Sequence, residues 1–102
     1  MKLKQTAVAG TLESSDVMIT ISPGDGEQIE IELDSPVEMQ FGKEIRRVIE
    51  TTLKDLGIVS ARVSAVDKGA LDCVIRARIE TAVFRSCGEK SFSWGGGNEC
   101  GN

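Results

Sequence analysis

An α+β domain, with a four-stranded and mostly antiparallel sheet carrying two helices on one face, is predicted by three features of this sequence. Apolar residues alternate with polar ones in four short runs, three before residue 35 and one near 58–66. Two longer stretches place apolar residues at three- and four-residue intervals instead. Gly, Pro, Asp and Ser clusters punctuate the chain between these periods. Alternation marks half-buried strands and the 3-4 spacing marks amphipathic helices, so the predicted order is β-β-β-α-β-α. Two helices then cover one side of one sheet.

The first strand is expected over roughly residues 5–12, with Val8, Gly10 and Leu12 on one face. Glu13-Ser14-Ser15-Asp16 supplies turn residues. The second strand sets Val17, Ile19 and Ile21 against Met18, Thr20 and Ser22. Pro23-Gly24-Asp25-Gly26 is a turn signal, since Asp-Gly accepts the positive φ of tight turns. In the third strand Ile29, Ile31 and Leu33 alternate with Gln28, Glu30, Glu32 and Asp34, and the three strands together read as an antiparallel meander.

A helix over about 36–56 starts with Ser35 as N-cap, Pro36 in the first turn and Glu38 closing a capping box. Val37, Phe41, Ile45, Val48, Ile49, Leu53 and Leu56 form its apolar stripe, and Gly57 ends it. Gly42 inside the helix points to a close backbone contact. A fourth strand follows over 58–66, with Val59, Ala61, Val63 and Ala65 on one side. If it lies parallel to the third, the intervening helix is a right-handed crossover. After the turn Asp67-Lys68-Gly69, the segment from Ala70 to about Ser86 fits both a helix and an alternating strand; its length and helix formers favour the helix. Residues 89–102, rich in Gly and without periodicity, are expected to be a flexible tail behind a folded domain of residues 1–88. Trp94, in that tail, is a weak candidate for docking on a partner.

Composition excludes several functions. The net charge is −4, with bases scattered among acids; nucleic-acid binding needs a concentrated positive patch. Four aromatics offer little for base stacking. No apolar run approaches the ~20 residues of a membrane span, and the first residues lead into no signal segment, so a cytoplasmic location is expected. Histidine is absent, which removes Ser–His and Cys–His nucleophile pairs and the commonest transition-metal ligand. Cys73, Cys87 and Cys100 lack Cys-x-x-Cys spacing and are expected to be reduced thiols, with Cys73 a small core residue and the other two incidental. No metal ligand set is legible: Asp25-Gly26 lacks neighbouring ligands, and Gly95-Gly96-Gly97 lacks the strand and helix of a phosphate loop.

What remains is the pair of hydroxyls at the first turn. Read without context, Ser14 and Ser15 are ordinary turn residues. A serine on a hairpin is a weak nucleophile but a good anchor for something larger. Glu13 and Asp16 flank it, with Asp16 expected to hydrogen-bond the turn backbone and both expected to place negative charge beside the site. Arg46, Arg47, Lys54, Arg76, Arg78 and Arg85 read as solvated helix residues with local ion pairs.

Three blocks in register carry a family resemblance: Gly10-Thr11-Leu12-Glu13-Ser14 with Asp16; Ser35-Pro36-Val37-Glu38 with Gln40-Phe41-Gly42; and Asp67-Lys68-Gly69-Ala70-Leu71-Asp72-Cys73-Val74-Ile75-Arg76-Ala77-Arg78. Together they cover most of residues 1–86, and the chain resembles the citrate lyase acyl carrier proteins, the gamma subunits of that complex. The resemblance implies that Ser14 carries 2′-(5″-phosphoribosyl)-3′-dephospho-CoA through a phosphodiester. Many relatives have Gly after this serine where this chain has Ser15, which sets a second hydroxyl beside the first. The resemblance further implies an acyl carrier domain at 1–88 with no catalytic residue of its own. It would be served by an attaching transferase, an alpha acyltransferase that exchanges acetyl for citryl, and a beta lyase that releases oxaloacetate with a divalent metal such as magnesium held in that subunit. The Asp-Ser-Leu motif of the four-helix fatty-acid carriers is missing, so their fold is not expected.

Two other readings stand beside this one: the carrier of a malonate decarboxylase system, which uses the same kind of arm, and an unmodified scaffolding subunit. A thiol enzyme built on Cys73 lacks a base to activate it.

Overall fold

A computed structural model describes residues 3–36 and 38–88; the side chains of residues 38 and 39 lie outside that description, and with them the Glu38 half of the capping box. Val37 and the expected tail at 89–102, with Trp94 and Cys100, also lie outside the described residues. The elements run β1 (Ala7–Gly10), β2 (Val17–Ser22), β3 (Ile29–Asp34), α1 (Glu38–Asp55), β4 (Ala61–Asp67) and α2 (Asp72–Cys87). This is the expected order, in an α+β fold with a mostly antiparallel sheet.

The sheet order is β1-β2-β4-β3, so the three early strands do not form a meander. β4 inserts between β2 and β3, antiparallel to β2 (Ile19 opposite Ala65) and parallel to β3 (Ile31 opposite Val63). A parallel pair needs a long crossover, and α1 supplies it. The arrangement suits the side chains. β4 buries Ala61, Val63, Ala65 and Asp67 at the sheet centre, while β3, with Glu30, Glu32 and Asp34 exposed, takes an edge where charge discourages further pairing.

Ile19, Ile21, Ile49, Leu53, Ile75, Ile79 and Val83 are fully buried between the sheet and the two helices. α1 and α2 contact each other; α2 lies on β1 and β2, and α1 on β3. On the other sheet face Thr20, Ser22 and Ser64 are half-buried and no helix covers them.

Several boundaries shift for packing reasons. β1 turns Ala7 and Ala9 to the core and leaves Val8 exposed, the reverse of the expected face, because small residues admit α2 close to this edge strand. The segment before it is tied to the end of α2: the backbone N–H groups of Lys4 and Gln5 donate to the Ser86 carbonyl at 3.0 and 3.2 Å. In α1 the buried stripe is Gly42, Ile45, Ile49, Thr52 and Leu53, and Phe41 lies outside it, exposed. Gly57, at φ 78°, closes α1 with a Schellman motif: Ile58 N–H donates to the Leu53 carbonyl and Gly57 N–H to that of Lys54. That motif buries Ile58 under the helix end and delays β4 to Ala61, leaving Val59 exposed. The thiols also exchange roles. Cys73 is exposed in the first turn of α2, whereas Cys87 is in the core, because Ile75, Ile79, Ala82 and Val83 set the inward face of the helix.

Candidate functional site: the turn between β1 and β2

β1 and β2 pair antiparallel, Ala7 opposite Ile21 through Gly10 opposite Met18, so residues 11–16 form the connection at one end of the sheet. Gly10 sits at φ 96°, and a Cβ there would lie 1.8 Å from the Val17 carbonyl oxygen. Only glycine allows the strands to close this tightly before the turn.

Asp16 N–H donates to the Glu13 carbonyl at 3.2 Å, closing a four-residue turn with Ser14 and Ser15 at its corners. Ser15 alone among non-glycine described residues has positive φ, 65°. Positive φ at the third turn residue only is the type II arrangement, which favours Gly or Asn there. The turn is also latched sideways: Ser15 N–H donates to the Lys68 carbonyl at 2.8 Å, and Lys68 N–H donates to the Asp16 carbonyl at 2.9 Å. Two residues thus oppose one, a β-bulge whose left-handed first position normally belongs to glycine. Ser15 is a backbone corner. Ser14 precedes it without a positive φ, and the side chains of both serines are exposed.

Beneath the turn, Asp16 is buried and fully engaged. The Arg78 guanidinium donates bidentately, Nε to Oδ1 at 3.0 Å and Nη2 to Oδ2 at 2.8 Å; Thr11 Oγ1 donates to Oδ2 at 2.7 Å, and Val17 N–H to Oδ1 at 2.7 Å. Thr11 Oγ1 in turn accepts the Glu13 N–H at 3.2 Å. The hydrogen bonds from Arg78 first, then those from Thr11 and Val17, hold the Asp16 carboxyl well below the usual carboxylate range. The expected local negative charge is therefore corrected: Asp16 is neutralised by Arg78, and Glu13 is left as the exposed acid of the turn.

A second carboxylate braces the neighbouring loop. Asp67, buried at the end of β4, accepts the Ser35 hydroxyl at 2.9 Å and the N–H groups of Gly69 and Ala70 at 3.2 and 2.9 Å. It ties the approach to α1 to the loop that carries Lys68.

The other helix arginines divide. Arg47 pairs with Glu44 and Arg76 with Glu80 as local ion pairs, while Arg76 also reaches across to Asp55 at the end of α1. Arg46 and Arg85 donate to the carbonyls of Ile31 and Val8. Arg78 is the site residue that sequence reasoning missed: it lies 62 positions from Asp16, and nothing in its local pattern separates it from the others. Among the described residues no group of three or more His, Cys, Asp or Glu side chains could hold a metal ion, and no helix is long and apolar enough to cross a membrane.

The geometry at hand is a turn latched on two sides that presents the hydroxyls of Ser14 and Ser15 to solvent, and the chain has no histidine to activate either. That suits a point of attachment rather than a catalytic centre. Residues 4–86 match the family model described as malonate decarboxylase delta subunit (MdcD). The citrate lyase acyl carrier protein of Streptococcus equi subsp. zooepidemicus (strain H70) is 61% identical over 94 residues, 92% of each chain. That of Streptococcus mutans serotype c is 57% identical over the same span and shares. Among solved structures, a chain in the crystal structure of a Pseudomonas malonate decarboxylase hetero-tetramer in complex with malonate superposes with TM-score 0.69 at 19% identity, covering 83% of this chain and 91% of that one. The last likeness is one of fold; at 57–61% identity over 92% of its length to the streptococcal proteins, the chain belongs to the citrate lyase acyl carrier protein family.

Proposed function

We propose that this chain is the acyl carrier subunit of a citrate lyase, and that Ser14 Oγ is the atom to which its prosthetic group, 2′-(5″-phosphoribosyl)-3′-dephospho-CoA, is joined as a phosphodiester. The single observation that carries the choice of Ser14 over its neighbour is the conformation of the turn. Both hydroxyls are exposed, but Ser15 supplies the left-handed corner and its N–H donates to the Lys68 carbonyl, whereas Ser14 lies outside the bulge and has no positive φ. Such a group supplies a terminal thiol on which acetyl and citryl units are held as thioesters.

The residues of this chain act on position and charge. Gly10 and the Asp16–Arg78–Thr11 cluster fix the root of the arm, so its far end samples a bounded volume and meets partner subunits at an effective concentration on the order of mM. Arg78 cancels the charge of Asp16 under the turn, and the exposed Lys68, hydrogen-bonded through its backbone to Ser15 and Asp16, adds a cation near the phosphodiester. The chain contributes no bond-breaking group. The partners are an alpha acyltransferase and a beta citryl lyase subunit, after an attaching transferase has acted, and the setting is the cytoplasm.

The test is intact mass and peptide mapping of protein from its native host. A mass increase equal to the phosphoribosyl-dephospho-CoA group on the peptide holding Ser14 is expected, and Ser14→Ala abolishes both the increase and citrate cleavage. Cleavage that survives Ser14→Ala but fails in Ser15→Ala would move the anchor. The matching family model and the fold neighbour keep a malonate decarboxylase carrier as the second reading; isolation of the chain with a decarboxylase rather than a lyase would establish it.

A further inference from the structure

Two leucines beside the turn occupy places where the fold gives them nothing. Leu71 is the N-cap of α2, with extended backbone at φ −75° and ψ 159°, and it makes no side-chain cap. Ser, Thr, Asp and Asn are favoured there because their oxygens accept a first-turn N–H; leucine forgoes that bond. It gains no burial in exchange, for it is 69% exposed. Leu12 is 53% exposed between Thr11, whose hydroxyl donates to Asp16, and Glu13, whose N–H donates to that hydroxyl. A single exposed leucine is unremarkable. These two stand on the two loops that the Ser15–Lys68 and Lys68–Asp16 hydrogen bonds join, with Ser14 on the first of them. A residue that breaks a local rule without a gain in the fold marks a functional position.

We propose that Leu12 and Leu71 are the apolar contacts by which the enzyme that installs the prosthetic group grips the turn. The inference rests on the Ser14 reading. In that reaction Ser14 Oγ forms a bond to phosphorus of the triphosphate donor, diphosphate leaves, and the hydroxyl proton passes to a base of the enzyme. The hydroxyl must be held within roughly 3–3.5 Å of the phosphorus and in line. The installing enzyme therefore closes directly over the residues that flank Ser14. The lyase subunits meet the thiol at the far end of the arm and have no such need, which is why the installing enzyme is the occupant the position favours. The fitting surface is a pair of shallow apolar pockets with a cationic rim, which suits both the exposed Glu13 and the phosphates of the donor.

The test uses the full unmodified chain, the attaching transferase of the same host and the triphosphate donor, with initial rates read by intact mass. Leu12→Ser and Leu71→Ser are each expected to raise KM several-fold, and the double variant to lose at least tenfold in kcat/KM with kcat little changed. Val59→Ser, which removes a 66% exposed residue near the start of β4 at the other end of the sheet, leaves the rate unchanged. The thermal midpoint of Leu71→Ser does not fall, because serine restores a cap, so a lower rate is not a folding defect. An unaltered KM in the double variant overturns the proposal, as does a loss confined to kcat. Group addition to a Ser14→Ala chain instead overturns the Ser14 reading, whatever the leucines do.

Discussion

Ser15 and Asp16 show how much of the turn rests on single side chains. A non-glycine residue in the left-handed region costs on the order of 1–2 kcal/mol, and Ser15 bears that cost at a bulge position that glycine normally fills. Ser15→Gly is therefore expected to stabilise the chain by about 1 kcal/mol in urea denaturation and to leave Ser14 modifiable; a loss of stability would contradict the backbone assignment. Asp16 makes acid stability informative. Its carboxyl, held below its ordinary value of 3.8 chiefly by Arg78, contributes fully above that pH and loses its contribution as the medium is acidified toward its own lower value. Thermal midpoints of wild type and Asp16→Asn should differ most near neutrality, and the gap should narrow progressively as the pH falls below 3.8 toward the depressed value. A constant gap would mean that the Arg78 bond does not carry the effect.

The elements followed their periodicities where one face was clearly apolar. α1 began and ended close to its expected limits because Gly57 could take a positive φ and close a Schellman motif over Ile58. α2 was ambiguous in the sequence, and the helix prevailed because Ile75, Ile79, Ala82 and Val83 make one buried stripe. That stripe also fixed the cysteines, which sit on different faces of α2. In a Cys100→Ser background, a thiol reagent should label Cys73 within minutes and Cys87 only when the protein unfolds. Equal rates for both would contradict the helix phase.

At the scale of the molecule, one core holds the sheet to both helices, and the turn that holds Ser14 touches it through Arg78 and the end of β4. Ile79 is fully buried one position from Arg78, so Ile79→Ala is expected to cost 2–5 kcal/mol. If the cavity leaves the Arg78–Asp16 bond in place, Ser14 modification measured well below the melting transition should be retained; loss of modification at full folding would show that the core sets the turn directly.

The first turn, both helices and the four strands could be read from local patterns, because alternation, caps and glycines act over a few residues, whereas Ser14 stood out only through the family resemblance. Strand order could not, since nothing within β4 states that it will lie between β2 and β3. The same holds for the bond from Arg78 to Asp16 and the latch from Lys68 to Ser15, and for which cysteine faces inward. These are contacts between segments far apart along the chain, settled by how a small set of apolar faces can be covered at once, and no residue carries that information alone.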